Sequence, residues 1–141
     1  MIHKFIEKWH AHLRGEFPGG LDELLADDVV FLSPIVFTPQ EGKEITKLYL
    51  GAAGNTLGGS KDDGTGKKKS KFKYTKEVLS GNHAVLEFES EIEGKYTNGV
   101  DIITLNDEGK IIEFRVMIRP LQAVNAIHKQ MAAMLEKMQS T

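Results

Sequence analysis

Acid–base chemistry in this sequence would depend on a few side chains in its first helix and its predicted sheet. His10 and His12 lie two residues apart on a predicted helix, so they do not share a helical face and form no metal-ligand pair. His12 follows Trp9 by three residues and could face a pocket, although a surface or capping role is the alternative. Tyr49 and Lys76 are the other catalytic candidates. We predict no metal site.

Three charged residues fall in one row of the predicted sheet. Glu87 is expected opposite Asp101, and Asp101 opposite Arg115, while Arg119 is expected near Thr97. Two opposed carboxylates could share a proton and act as an acid pair. The alternative is a row of salt bridges on the outer face of the sheet, at the interface of a homodimer. The sequence favours the salt bridges, because the outer face points away from any pocket.

The apolar spacing predicts the elements that position these residues. Helices are expected at 2–14, 22–26, about 43–53 and 120–138, with strands at 29–32, in part at 35–37, and four more between 71 and 119. Residues 54–71 are rich in Gly and Lys and predict an exposed loop. Helices separated from an antiparallel sheet make an α+β fold.

The strand register follows from keeping one face of the sheet apolar. Leu105 is placed opposite Ile111, Ile92 opposite Tyr96, and Val78 opposite Ala84. Phe72 and Tyr74 then join the apolar face, and Lys73 comes opposite Glu89. Lys76 is a misfit on that face. The predicted ligand pocket contains Trp9, Phe31, Phe37, Tyr49, Leu86, Phe88, Val100, Ile102, Phe114 and Val116.

Composition excludes several classes of protein. The 141 residues contain no cysteine, which rules out disulfides, thiolate zinc sites and cysteine nucleophiles. The 18 basic and 20 acidic residues nearly cancel, which argues against a nucleic-acid surface. No apolar run approaches the roughly 20 residues of a membrane span, and the start has no signal-peptide core. We expect a single domain over residues 1–141, in the cytoplasm, with no cofactor.

Several short motifs resemble the NTF2-like superfamily, in particular its SnoaL-like branch. They are Leu24 to Val29, Ser33-Pro34, Gly42 before a helix with Tyr49, and Gly109 to Arg115, with Pro120 opening the final helix. The superfamily includes ketosteroid isomerases, SnoaL-like polyketide cyclases and limonene epoxide hydrolases. The resemblance implies a cone-shaped (cystatin-like) fold, in which a curved, largely antiparallel sheet wraps around N-terminal helices. It also implies homodimers formed through the convex face of the sheet.

The resemblance to ketosteroid isomerases implies a general-base Asp just before the proline after the first strand, where this sequence has Ser33. It also implies an oxyanion hole made by a Tyr of the first helix and a protonated acid from the sheet. The helix position falls near Lys8 or Trp9. Trp9 could donate a hydrogen bond through its indole but cannot act as an acid.

The resemblance to epoxide hydrolases implies an Arg-x-Asp pair and a further Asp in the sheet. The matching positions are Ala84, Leu86 and Val116, and Val116 also stands where SnoaL-like cyclases need an acid. The sequence therefore favours a protein that binds a small hydrophobic molecule without the usual catalysis. The alternatives are an isomerase, cyclase or hydratase acting on a small apolar substrate, and a homodimeric structural module.

Overall fold

The computed structural model describes residues 1–57 and 71–139 of the chain. Most of the loop predicted at 54–71 lies outside the described residues. In chain order the elements are α1 (Ile2–Leu13), α2 (Gly20–Leu24), β1 (Leu25–Leu32), β2 (Gln40–Glu41), α3 (Lys43–Leu57), β3 (Lys73–Ser80), β4 (His83–Ile92), β5 (Lys95–Leu105), β6 (Ile111–Arg119) and α4 (Leu121–Gln139).

The strands form one mixed sheet in the order β2-β1-β6-β5-β4-β3. Strand β1 runs parallel to β6, and all other neighbours are antiparallel. The α+β prediction is confirmed. The partial strand expected at 35–37 is wrong, because Ser33 Oγ accepts hydrogen bonds from the backbone N–H groups of Ile35 (3.0 Å) and Val36 (3.2 Å) and holds a turn.

The helices bury their apolar stripes against one side of the sheet, here called the inner face. The stripe of α1 is Ile2, Phe5, Ile6 and Trp9, which packs on a core shared with β1, β4, β5 and β6. A second cluster joins Ala52 of α3 and Ile127 and Met131 of α4 to Phe88. The opposite side of the sheet, here the outer face, carries most of its charge.

The hairpin between β4 and β5 is one residue tighter than predicted. Ile92 pairs with Lys95 rather than with Tyr96, so only Glu93 and Gly94 form the turn. Both have positive φ angles, 52° and 77°, which is the conformation of a type I′ turn. The shift by one residue moves every side chain of β5 to the opposite face of the sheet from the one predicted.

Two bulges also change the strand register from the predicted one. Leu105 pairs with Ile111 as predicted, but Ile112 is an extra residue of β6, so that Asp101 comes opposite Val116 instead of Arg115. The pairing of Lys73 with Glu89 likewise holds, but an extra residue at 75 interrupts β3, so that Ala84 comes opposite Leu79 instead of Val78.

The predicted row of Glu87, Asp101 and Arg115 is therefore wrong. Asp101 lies on the inner face between Leu86 and Val116, with 7% of its surface exposed. Arg115 lies on the outer face, where its Nη2 is 3.9 Å from Oε2 of Glu113.

The corrected register also moves three other predicted residues. Val100 and Ile102 lie on the outer face rather than in the pocket. Arg119 pairs with Asn98 rather than with Thr97, and its Nη1 donates a hydrogen bond to Asn98 Oδ1 at 3.3 Å.

Candidate active site

A cavity of about 140 Å³ lies between α1, α3 and the inner face of the sheet. Most of its lining is aromatic or aliphatic, and among the described residues its polar groups come from only four side chains. The lining residues are Trp9, His12, Leu13, Leu21, Leu50, Ala53, Gly54, Phe72, Tyr74, Phe88, Asp101, Phe114 and Val116. A small apolar cavity with a few convergent polar groups is typical of a binding or catalytic site.

Three of the polar side chains form a chain of hydrogen bonds. The indole Nε1–H of Trp9 donates to the hydroxyl oxygen of Tyr74 at 3.0 Å. The hydroxyl of Tyr74 donates in turn to Oδ2 of Asp101 at 2.8 Å. The three residues come from α1, β3 and β5, so the chain connects the helix to the centre of the sheet.

Burial raises the pKa of both partners in the Tyr74–Asp101 hydrogen bond. Burial raises the pKa of Asp101 to about 7, and the hydrogen bond from Tyr74 opposes this rise because it favours the carboxylate. The pKa of Tyr74 is raised well above its usual value, by burial first and then by the charge of Asp101. At neutral pH the carboxyl group of Asp101 is therefore divided between its acid and its carboxylate forms.

His12 is the fourth polar group of the cavity. It is half-buried, and its ring lies 5.5 Å from that of Trp9. Burial lowers the pKa of His12, so the imidazole is neutral at pH 7 and can accept a proton. An acid with a raised pKa and a base with a lowered pKa in one cavity are suited to proton transfer.

The structure brings together only part of the predicted ligand pocket. Trp9, Phe88, Phe114 and Val116 line the cavity. Phe31 and Leu86 are buried in the core beside it.

Phe37 does not reach the cavity at all. Its side chain is 99% exposed. It lies in the segment after Ser33, which does not continue β1, so the alternation of a strand does not direct its side chain inward.

The predicted trio His12, Tyr49 and Lys76 does not converge. Tyr49 packs on Phe31, with ring centroids 5.4 Å apart, and is not part of the cavity lining. Lys76 lies on the outer face, 3.9 Å from Glu87, because the bulge at residue 75 reverses its direction. Of the three, His12 alone lines the cavity.

Comparison with solved structures assigns the fold. A steroid delta-isomerase from Pseudomonas aeruginosa is 26% identical, with 99% of this chain and 95% of that chain covered and a TM-score of 0.84. A protein with a cystatin-like fold from Silicibacter pomeroyi is 28% identical over 94% and 85% of the two chains, with a TM-score of 0.77. An NTF2-like protein of unknown function from Mesorhizobium loti has 15% identity over 84% and 91%, with a TM-score of 0.66.

The chain has the NTF2-like fold. No protein-family model and no curated protein matches the sequence.

Within the NTF2-like fold, the positions considered for catalysis have identifiable roles here. Ser33, which replaces the expected general base, caps the turn after β1 and does not line the cavity. Trp9 donates a hydrogen bond, as its indole allows, but its acceptor is Tyr74. An acid from the sheet is present in this NTF2-like chain, since Asp101 lines the cavity.

Sequence reasoning missed the Tyr74–Asp101 pair, although it placed Tyr74 on the apolar face. A signal was available, because Asp101 is the one charged residue in the stretch from Gly99 to Leu105. A lone acid among β-branched residues in a strand either lies on a solvated face or is buried in a specific structural or functional role. The assumed three-residue turn assigned it to the solvated face.

Two other kinds of feature are absent from the described part of the chain. Among residues 1–57 and 71–139, no cluster of His, Asp and Glu side chains has an arrangement suited to a metal ion. None of the helices in this part of the chain has the length and apolar character needed to cross a bilayer.

Proposed function

We propose that this protein transfers protons to and from a small, mostly apolar carbonyl compound held in the cavity. The observation that carries the proposal is the buried carboxyl group of Asp101, hydrogen-bonded to Tyr74 and facing an apolar cavity. The expectation of binding without catalysis depended on a pocket without acids, and Asp101 removes that reason. An isomerase-type reaction, the alternative interpretation of the sequence, now has the better support.

Each polar group has a role in such a reaction. The protonated carboxyl of Asp101 donates to the carbonyl oxygen of the substrate and stabilises the negative charge that develops there. The neutral imidazole of His12 takes a proton from the carbon next to the carbonyl. If the substrate carries a carbon–carbon double bond conjugated with the resulting enol, return of that proton to the far carbon of the dienol shifts the double bond, completes an isomerisation and restores both groups. Trp9 and Tyr74 hold Asp101 in place.

The size of the cavity limits the substrate. An engineered protein cavity of ~150 Å³ accommodates one benzene ring, and the cavity here is about 140 Å³. The similarity to the steroid delta-isomerase from Pseudomonas aeruginosa favours isomerase chemistry. The fused rings of a steroid exceed this volume, so we propose a substrate of one ring or a short chain.

The test needs no knowledge of the natural substrate. Cyclohexanone in D₂O exchanges the hydrogens next to its carbonyl when an acid and a base act together, and NMR measures the rate. We expect the wild-type protein to accelerate exchange, and Asp101→Asn and His12→Gln each to reduce the acceleration by roughly 10²–10⁴-fold. His83→Gln is the matched control, because His83 is exposed and its Nδ1 lies 3.2 Å from Thr104 Oγ1, away from the cavity.

The pH dependence tests the assignment of the two roles. Exchange should decline above pH 7, as Asp101 loses its proton, and again at acidic pH, as His12 becomes charged. A wild-type protein that binds cyclohexanone without accelerating exchange would contradict the proposal and support a binding protein. A rate that rises steadily with pH would contradict Asp101 as the acid.

A second proposal concerns assembly. We propose a homodimer formed through the outer face of the sheet. This face has a groove of about 380 Å³. Its lining includes the apolar residues Val85, Val100 and Met117 and the charged residues Lys76, Glu87 and Arg119. Because both signs of charge occur on this face, two copies related by a two-fold axis can pair them.

Sedimentation velocity tests the dimer. We expect Arg115→Glu to weaken the association, because Arg115 is an exposed cation on this face. The matched control is Arg14→Glu, since Arg14 lies at the end of α1 and pairs locally with Glu16. Equal association constants for the two variants, or a monomeric wild-type protein, would contradict the proposal.

A further inference from the structure

The ring of Phe88 lies directly on the backbone of β5 at Gly99. A Cβ atom built on Gly99 would lie 2.5 Å from Cζ of Phe88 and 2.8 Å from the carbonyl oxygen of Met117. Both distances are far below van der Waals contact. Phe88 and Gly99 are also direct partners across the two strands. Only a residue without a side chain therefore lets the ring of Phe88 lie this close to the strand.

The position of this contact relates it to the candidate active site. Gly99 and Asp101 are two residues apart on β5, so they share the inner face of the sheet. Phe88 is 1% exposed and forms part of the cavity wall that also contains Asp101. Phe88 thus occupies the space next to Asp101 along the strand.

Aromatic contacts also fix the ring of Phe88. Phe72 stacks on it with ring centroids 4.9 Å apart, and Tyr74 meets it edge to face at 6.5 Å. The ring is therefore held between Gly99 and two other cavity residues. It can move neither toward the strand nor freely toward solvent.

We propose that Gly99 and Phe88 set the size limit of the cavity and restrict its ligand to one ring. This inference rests on the ligand site proposed above and deepens it by naming the class of compound. A side chain at position 99 would push Phe88 into the cavity and close it. A smaller side chain at position 88 would open the space above Gly99 and extend the cavity along β5.

The experiment compares two ketones that differ by one fused ring, cyclohexanone and 2-decalone. Trp9 is the only tryptophan of the chain and lines the cavity, so its fluorescence reports binding of both. We expect the wild-type protein to bind cyclohexanone at least about tenfold more tightly than 2-decalone. In Phe88→Leu the ratio of the two dissociation constants should shift toward 2-decalone by about tenfold or more, a typical value for pocket size selection.

The control is Phe31→Leu, which makes the same chemical change at a buried core residue that does not itself line the cavity and is not paired with Gly99. In Phe31→Leu the ratio of the two dissociation constants should equal that of the wild-type protein. Gly99→Ala should weaken binding of both ketones, and thermal unfolding would show whether the contact with Met117 also costs stability.

Two results would overturn the inference. One is a ratio unchanged by Phe88→Leu, and the other is failure of both the wild-type protein and Phe88→Leu to bind either ketone. The proton-exchange test is separate. If the ratio shifts but exchange is absent, the size limit stands and the proposed catalysis fails. If exchange occurs but the ratio does not move, the catalysis stands and the size limit fails.

Discussion

At the scale of the residue, the chemistry of Asp101 depends on its neighbours. Loss of water raises the pKa of the carboxyl group to about 7, and the hydroxyl of Tyr74 prevents a further rise. The same side chain on the outer face of the sheet would be a solvated carboxylate of ordinary acidity. A group that titrates near neutral pH in an apolar cavity is an indicator of function.

Replacing Tyr74 by Phe tests this balance. The change removes the hydrogen bond that favours the carboxylate, so the pKa of Asp101 should rise further above 7. The decline in the rate of cyclohexanone hydrogen exchange above pH 7 should move to higher pH together with this pKa. ¹³C NMR titration of the Asp101 carboxyl measures the change directly.

Tyr49→Phe is the control for this titration, because Tyr49 stacks on Phe31 and is not part of the cavity lining. It should leave the titration of Asp101 where it is in the wild-type protein. A lower pKa for Asp101 in Tyr74→Phe would mean that the hydroxyl does not stabilise the carboxylate.

At the scale of the element, one turn and two bulges decide which side chains reach the cavity. The two-residue turn between β4 and β5 places Asp101 on the inner face, and the extra residue in β6 keeps Val116 beside it. The extra residue in β3 lets Tyr74 face inward while Lys76 faces outward. Such bulges commonly redirect side chains near active sites.

Gly94→Ala tests the turn. Gly94 has a φ of 77°, and a Cβ atom added to it would meet no atom within 4 Å, so the cost comes from the backbone alone. We expect a loss of about 1–2 kcal/mol in the free energy of unfolding, measured with urea. Gly54→Ala, in α3 without a positive φ, should instead be neutral or stabilise by up to about 1 kcal/mol. Equal effects would argue against the left-handed turn.

At the scale of the whole molecule, the buried Asp101 makes stability depend on pH. Its pKa is about 7 in the folded protein and roughly 4 in an unfolded chain, so the folded state holds this proton more tightly. The stability that protonation provides is complete below about pH 4 and is lost as the pH rises to about 7. Above pH 7 the free energy of unfolding no longer changes with the protonation of Asp101.

Urea unfolding of the wild-type protein and Asp101→Asn from pH 4 to pH 8 measures this effect. The stability difference between the two should change by a few kcal/mol in favour of the variant as the pH rises, because asparagine has no charge to bury. Burial lowers the pKa of His12, so the folded state loses stability as the pH falls and the imidazole becomes charged. This loss is the same in both proteins and cancels in the difference between them. A constant difference would show that Asp101 titrates normally.

The sequence by itself determined the elements and their class. Helical and alternating apolar patterns predict α1, α3, α4 and the four-stranded meander, because burial of an apolar stripe needs only the local period. It also indicated Trp9, Phe88, Phe114 and Val116 as inward-facing positions, whose residue types are apolar whichever neighbour they meet.

The tertiary structure alone decided the position of Asp101. A strand has a period of two, so a single residue added or removed at a turn or bulge exchanges its faces, and the sequence does not show such a change directly. The pairing of Tyr74 with Asp101 joins residues 27 positions apart, and the donor Trp9 is 65 positions from Tyr74. Composition and spacing located part of the apolar lining, whereas the register of the sheet placed an acid within it.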